Sequence, residues 1–213
     1  FTPAESSIIE RLTGGISGPV ANAILRRQLA RDANEHRVFA EISRVAADAT
    51  SISEIGEAIA RAVPEILRFR YLSISRVDPK YRKFWSEFFS GMPDRSEFEV
   101  GRVQDLGGSL TGAVLESRQP IILDLTDADA LQQYPKAAHA ASIGMTSAIG
   151  VPLISNGKVI GVLILGDEEG ASYIQAHSIL AERATDQIAG SVANLGLREE
   201  LQKQSLPRQA LAD

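Results

Sequence analysis

The sequence predicts an α+β fold in which helices are layered on an antiparallel sheet. Short apolar or alternating runs are separated by turn residues, which favours strands joined by hairpins. Segments with apolar residues at helical spacing stand before, between and after these runs. In chain order, the patterns predict a helix, three strands, a helix, a strand, a helix, two strands and a closing helix.

The composition narrows the functional classes. The chain has 213 residues, 44% of them hydrophobic, which is enough to bury one core. We expect no membrane partner in this fragment, because no apolar run approaches the roughly 20 residues of a membrane helix. The net charge is −5 and the basic residues are dispersed, so no nucleic-acid partner is expected either. The absence of cysteine excludes disulfides and thiolate nucleophiles and favours a cytoplasmic location.

The chain opens with a long helical segment. Ile8, Ile9 and Leu12 follow helical spacing. Gly14 to Pro19 should weaken or kink the helix, because proline removes a backbone donor. The helical pattern then returns from Val20 to about Ala49, a length of about 45 Å that is typical of a connector.

A repeat links the two ends of the chain. Residues 10–29 align without gaps with residues 182–201, and eleven of the twenty positions are identical: Glu, Arg, Thr, Ile, Gly, Val, Ala, Asn, Leu, Arg and Leu. A motif that occurs once at each end predicts one full module preceded by the last helix of another copy.

An amphipathic helix and three strands are predicted next. Ser51 or Ser53 can cap the helix, and its buried face comprises Ile55, Ile59, Val63 and Ile66. The strands cover Tyr71–Val77, Lys83–Ser90 and Glu97–Val103. In the second strand, strict alternation places Phe84 and Phe88 on one face and Trp85 and Phe89 on the other.

The second half of the chain contains the remaining elements. Gly107–Ser117 predicts a loop, a serine cap and a short helix, and Ile121–Leu123 a brief strand. Asp127–Ser142 predicts an irregular helical cover. Asn156-Gly157 predicts a two-residue hairpin turn between the strands Thr146–Ile154 and Val159–Leu165, because both residues accept positive φ. The second of these strands has no polar face, so it should be central, and a helix from Ile174 to Gln204 ends before Pro207.

Several of these stretches together resemble the GAF domain, a small-molecule sensor module of signalling proteins. They are Gly108–Leu125, Gly144–Leu153, Gly157–Gly166 and Asp186–Leu197. The resemblance implies a GAF/PAS-like antiparallel sheet of five or six strands with helices on both faces and long N- and C-terminal helices. It also implies a ligand cavity on one face, roofed by loops and a short helix.

The resemblance gives the repeat a meaning. It implies connector helices from a preceding module in residues 1–36, a GAF domain in residues 37–204 and a tail in residues 205–213. Tandem GAF domains commonly dimerise along such helices, as coiled coils, and pass a shift to a downstream output domain in the same chain, such as a histidine kinase, a cyclase or a phosphatase. We therefore expect a homodimer, although two turns of apolar spacing do not distinguish a dimer seam from packing on the chain's own sheet. The candidate seam residues are Leu25, Leu29, Ile188, Val192 and Leu195.

The resemblance also suggests where a ligand would lie. The candidate pocket residues are Phe88, Phe98, Arg102, Leu110, Tyr134, Met145 and Ser147. A collapsed apolar pocket filled by the same side chains is the open alternative.

Known cofactors of this family fit the sequence poorly. Covalent bilin and thiol-dependent sulfoxide reduction both require a cysteine. The Asn-Lys…Phe…Asp-Glu pattern of members that bind cyclic nucleotides falls on Gly166-Asp167, Tyr173 and His177-Ser178, where Asn, Lys, Asp and Glu are all missing. Some members hold haem through a histidine in the cover segment. His139 lies there, but a single histidine is a weak metal signal, so we expect neither haem nor another metal.

The sequence lacks the common catalytic motifs, which leaves a regulatory role for the module. Motifs of phosphate-binding loops, dinucleotide folds, zinc proteases and serine hydrolases are lacking, so the module is expected to be non-catalytic. We expect a regulatory sensor of a bacterial-type signalling system, such as a two-component system, that binds an unidentified small molecule. A ligand-free dimerisation and signal-transmitting spacer is the alternative.

Overall fold

A computed structural model describes residues 3–91, 99–168 and 173–209 of the chain, with side chains over residues 20–91, 99–168 and 173–202. The helices are α1 (Pro3–Asp48), α2 (Ile52–Ala62), α3 (Leu110–Ser117), α4 (Ala128–Gln133), α5 (Ala138–Ser142) and α6 (Gln175–Gln209). The strands are β1 (Tyr71–Asp78), β2 (Lys83–Ser90), β3 (Val103–Asp105), β4 (Ile121–Asp124), β5 (Ser147–Ser155) and β6 (Lys158–Asp167). Short 3₁₀ turns occupy Val63–Glu65 and Pro135–Ala137.

All strand pairs are antiparallel, in the order β3-β2-β1-β6-β5-β4. The predicted α+β class is confirmed, with six strands in the described part of the chain and helices on both faces of the sheet. β6 lies in the interior of the sheet, as its unbroken apolar run predicted. Asn156 and Gly157, with φ of 50° and 71°, form the predicted turn between β5 and β6.

The long α1 is continuous from Pro3 to Asp48, so Gly14 to Pro19 do not end it. Glycine and proline weaken a helix without forbidding helical backbone angles, so the continuous helix is compatible with the predicted weakening. The chain divides into two compact units, residues 1–37 and residues 38–213. Within the first unit, Val20, Ile24, Leu25 and Leu29 are exposed.

Local chemistry fixes the start of α2. Ser51 is its N-cap, and its hydroxyl accepts a hydrogen bond from the amide of Glu54 at 3.3 Å. The Glu54 carboxylate accepts in turn from the amide of Thr50 at 2.9 Å. Of the predicted buried face, Ile55, Ile59 and Val63 are buried and Ile66 is half-buried. The Thr50–Glu54 bonds and the serine cap satisfy donors at the helix start.

One face of the sheet packs against the C-terminal end of α1, against α2 and against α6. Its core combines strand residues of β1, β5 and β6 with helical residues. The sheet contributes Leu72, Ile74, Ile149, Val151, Leu153, Leu163 and Leu165, and the helices contribute Val38, Ile42, Ile55, Ile59, Ile188, Val192 and Leu195. The other face packs against α3 and the cover formed by α4 and α5, through Tyr71, Leu110, Val114, Leu123, Leu125, Met145, Ala148 and Val162.

Two predicted boundaries were wrong. The third strand is not Glu97–Val103 but the short edge strand Val103–Asp105, paired with Lys83–Trp85; residues 92–98 lie outside the described residues. α6 extends to Gln209, past Pro207. A proline near the end of a helix removes only one backbone hydrogen bond, so the helix passes through it. No helix in the described ranges is both long and apolar enough to cross a bilayer.

Candidate functional site

A partly open cavity of about 140 Å³ lies between the sheet and its α3–α5 cover. The sheet supplies Ser73, Ser75, Phe84, Ser86, Phe89, Gln104, Leu123, Ala148 and Ile164, and the roof and rim supply Ser109, Leu110, Thr111, Leu125, Lys136, Ala137, Ala140 and Met145. The cavity therefore combines an apolar body with a set of hydroxyls.

The floor of the cavity is a row of serines on two neighbouring strands. Ser75 on β1 and Ser86 on β2 are register partners, and their hydroxyl oxygens are 2.9 Å apart. Ser73 lies two residues earlier on the same face of β1. All three serines are buried. Because a Ser–Ser hydrogen bond uses only one of two hydroxyl hydrogens, this pair keeps one donor for another acceptor.

The roof is set by the start of α3. The Ser109 hydroxyl accepts from the amide of Gly112 at 3.0 Å and donates to the carbonyl of Leu106 at 2.6 Å, which confirms the predicted serine cap. A Cβ at Gly112 would lie 2.2 Å from the Leu106 carbonyl oxygen. α3 therefore approaches the preceding loop too closely for a side chain at position 112, and this contact places Leu110 and Thr111 over the floor.

The rim carries the polar groups nearest to solvent. Lys136, in the 3₁₀ turn of the cover, donates its backbone amide to the carbonyl of Gly108 at 3.1 Å, and its ammonium group donates to the carbonyl of Asp105. The Asp105 carboxylate accepts from Lys83 at 2.6 Å, and this bond lowers the pKa of the carboxyl. Gln104 is half-buried in β3.

Two of the seven predicted pocket residues line this cavity, namely Leu110 and Met145. Tyr134 packs against the same cluster without lining the cavity, and Arg102 is exposed. Phe98 lies outside the described residues.

Phe88 and Ser147 were wrong as cavity residues, because both face the opposite side of the sheet. A Cβ at Gly56 of α2 would lie 2.3 Å from the Phe88 ring, so Phe88 packs beneath α2. The Ser147 hydroxyl accepts from the amide of Tyr173 at 3.1 Å.

A β-bulge explains the error at Phe88. Ile74 pairs with Phe88 and Ser75 pairs with Ser86, so Glu87 is an extra residue in β2. One inserted residue shifts the alternation by one position. As a result Phe84, Ser86 and Phe89 face the cavity. Nothing in the residue types of β2 marks the insertion.

On the sheet face opposite the cavity, a charged cluster surrounds Arg76, which directly follows Ser75 on β1. Arg76 Nη1 lies 3.2 Å from the Glu87 carboxylate and 2.5 Å from that of Glu199 on α6. Its guanidinium lies 5.4 Å from the centre of the Trp85 ring, whose indole N–H donates to Glu87 at 2.8 Å. The cluster ties the strands beside the bulge to the closing helix.

The candidate seam residues separate into two groups. Ile188, Val192 and Leu195 are buried in the chain's own core, so they are not available to a second helix and their assignment to a dimer seam was wrong. Leu25 and Leu29 are exposed.

The segment aligned with the cyclic-nucleotide pattern has a structural role. The Tyr173 hydroxyl donates to the carbonyl of Arg68 at 3.1 Å, and burial raises the pKa of that hydroxyl. Asp167 is held by Arg68 at 3.1 Å. His139, the candidate haem ligand, is half-buried in α5. Within the described ranges, no group of three His, Asp or Glu side chains is arranged to hold a metal ion.

Comparison with known proteins agrees with this architecture. The family model described as GAF domain matches residues 49–193. The chain belongs to the GAF domain family. GAF domains occur in signalling proteins such as sensor kinases and chemotaxis proteins. A comparison with curated proteins finds no match.

Three solved structures illustrate the likeness in fold. The GAF domain of a phosphoenolpyruvate-protein phosphotransferase from Coxiella burnetii is 18% identical, with a TM-score of 0.62 over 79% of this chain and 98% of that one. The GAF domain of a two-component sensor histidine kinase from Bacillus halodurans is 23% identical, with a TM-score of 0.53 over 64% and 90%. Residues 122 to 287 of a methyl-accepting chemotaxis protein are 19% identical, with a TM-score of 0.59 over 73% and 97%.

Proposed function

We propose that this GAF domain is a non-catalytic, cytoplasmic sensor module that binds a small molecule in the cavity between the sheet and the α3–α5 cover. The observation that carries the proposal is the lining: the hydroxyl-bearing residues Ser73, Ser75 and Thr111, all buried, share one partly open cavity with apolar side chains. Ligand sites are typically mostly apolar, with a few placed polar groups. A cavity that only completed a core would not need several hydroxyls.

The same strands offer a route from the cavity to the closing helix. Ser75 and Ser86 form the floor, and the adjacent residues Arg76 and Glu87 face the other side, where Arg76 reaches Glu199 of α6. A ligand that binds more tightly to one arrangement of the bulged strands biases the position of α6 by that difference in affinity.

The repeat supports a tandem arrangement with a parallel homodimer. Val192 in α6 is 2% exposed, whereas the equivalent Val20 in α1 is 49% exposed. This difference is expected if residues 10–29 are the closing helix of a preceding module, whose own sheet comes before them in the chain. Leu25 and Leu29 align with Leu197 and Leu201, and all four leucines are exposed. We propose that these four leucines contribute to the dimer seam. We also propose that an output domain, such as a histidine kinase, a cyclase or a phosphatase, lies downstream in the same chain.

The size of the cavity favours a second candidate function. At about 140 Å³ it is smaller than the roughly 300–1,000 Å³ of most ligand pockets. A ligand-free domain that dimerises and transmits a shift between neighbouring modules would need only the helices and the Arg76 cluster.

A thermal-shift screen of small metabolites against the chain tests the sensor function. The matched variants are Ala148→Leu, which fills the cavity from β5, and Ala138→Leu, which adds the same side chain at an exposed position of α5. We expect at least one compound to raise the melting temperature of the wild type and of Ala138→Leu but not of Ala148→Leu. If no compound shifts the wild type, the spacer function is favoured.

A further inference from the structure

We propose that the cavity accepts a small organic anion, a carboxylate on an apolar body of benzene-like size. This inference rests on the proposed sensor function and specifies the ligand class of the same site. It follows from three properties of the lining: its volume, its unused hydroxyls and its charge.

The volume limits the apolar body. An engineered apolar cavity of about 150 Å³ binds benzene, so a cavity of about 140 Å³ holds a single ring or a short branched chain. Leu110, Leu123, Met145 and Ile164 supply apolar surface around it. A nucleotide or a tetrapyrrole is far larger than this space.

The buried hydroxyls call for a partner that forms hydrogen bonds. Ser73 is 6% exposed and Thr111 is 2% exposed, and both residues line the cavity. Buried polar groups in proteins are usually satisfied by protein, water or ligand. Together with the spare hydrogen of the Ser75–Ser86 pair, these groups offer three donors toward one space.

The charge of the lining selects an acceptor. Among the described lining residues there is no Asp or Glu, whereas Lys136 stands at the rim beside Gln104. One N–H of the Lys136 ammonium group is used by the Asp105 carbonyl, which leaves two others for a ligand. The nearby Asp105 carboxylate is already bonded to Lys83. An anionic head group at this rim would accept hydrogen bonds from these donors, whereas a cationic head group would be repelled by the ammonium group of Lys136.

Titration calorimetry with benzoate, benzyl alcohol and benzylamine tests the inference, because these probes share a ring and differ in the head group. We expect benzoate to bind most tightly, benzyl alcohol more weakly and benzylamine not at all. Lys136→Met should weaken benzoate about tenfold or more, the effect of losing a hydrogen bond to a charged group. Lys158→Met, at an exposed position at the start of β6, should leave binding unchanged. Thr111→Val should weaken benzoate about fivefold.

The outcomes separate this inference from the proposed function. If benzylamine or benzyl alcohol binds at least as well as benzoate, and Ala148→Leu abolishes that binding while Lys136→Met does not, the cavity is a ligand site of another class. If none of the three probes binds but the metabolite screen finds a compound that Ala148→Leu excludes, the anion class falls and the sensor function stands. If neither experiment finds a ligand, both fall.

Discussion

Substitution of the buried Ile188 tests most directly whether this face of α6 belongs to the domain core or to a dimer seam. Its side chain is 0% exposed in the core beneath the sheet. Ile188→Ala removes three buried carbon atoms at about 0.8 kcal/mol each, or about 2.4 kcal/mol. The cavity that remains raises the loss to about 3–4 kcal/mol in the free energy of unfolding. For a domain of this size, the melting temperature should fall by roughly 6–16 °C.

The assay is thermal unfolding followed by circular dichroism at low and high protein concentration, combined with light scattering for the association state. Leu197→Ala is the matched control, because Leu197 lies on the same helix and is 58% exposed. At low concentration it should stay within about 0.5 kcal/mol of the wild type, and it should weaken association. If Ile188→Ala left the melting temperature unchanged and instead abolished association, the assignment of Ile188 to the core would be refuted.

Two further predictions concern the start of α3 and the buried Tyr173. Gly112→Ala should destabilise the fold by about 1–3 kcal/mol, because its Cβ would meet the Leu106 carbonyl. Gly190→Ala in α6 is the control: its Cβ meets nothing within 4 Å, so it should stabilise the fold by up to about 1 kcal/mol. Urea unfolding measures both free energies, and equal effects would contradict the close approach of α3 to Leu106. Burial raises the pKa of Tyr173 in the folded state, so its contribution to stability is fully present below about pH 10, the pKa expected on unfolding, and is lost as the pH rises through the higher folded value. Unfolding measured between pH 9 and 12 should therefore show a smaller loss of stability for Tyr173→Phe than for the wild type, while the same change at the exposed Tyr81 should follow the wild type.

Elements set by local chemistry could be predicted from the sequence. Ser51 and Ser109 cap their helices through hydrogen bonds that span only three residues. Asn156-Gly157 forms its hairpin because positive φ is accessible to both residues. The bounds of β2 agree with the prediction because dense aromatic residues require a covered surface.

Features that depend on pairing between strands could not be predicted. β3 is a short edge strand with an exposed Val103, so it lacks the apolar alternation that identifies buried strands. The extra residue Glu87 is defined only by comparison with β1. Because that insertion shifts the alternation along β2, counting residues placed Phe88 on the cavity side, whereas Leu110 and Met145, which lie on other elements, do line the cavity.

The spacing of apolar residues in α6 also could not predict which of them pack on the chain's own sheet and which face away from it. The repeat contains two kinds of apolar position, since Val192 packs on the sheet and Leu197 faces away from it. Both lie at intervals that suit a helix–helix seam or a domain core. Only the position of the sheet distinguishes them.

The bulge at Glu87 gives β2 one residue that its pairing with β1 does not use. Deleting that single residue would place Phe88 directly after Ser86, so Phe88 would keep its partner Ile74 and its position beneath α2. Phe89 would keep its partner Ser73 on the cavity side, whereas Arg76 would lose a carboxylate that orients it. In descendants of this chain, loss of this one residue should therefore leave the ligand compartment intact and weaken the charged cluster that links β1 to α6.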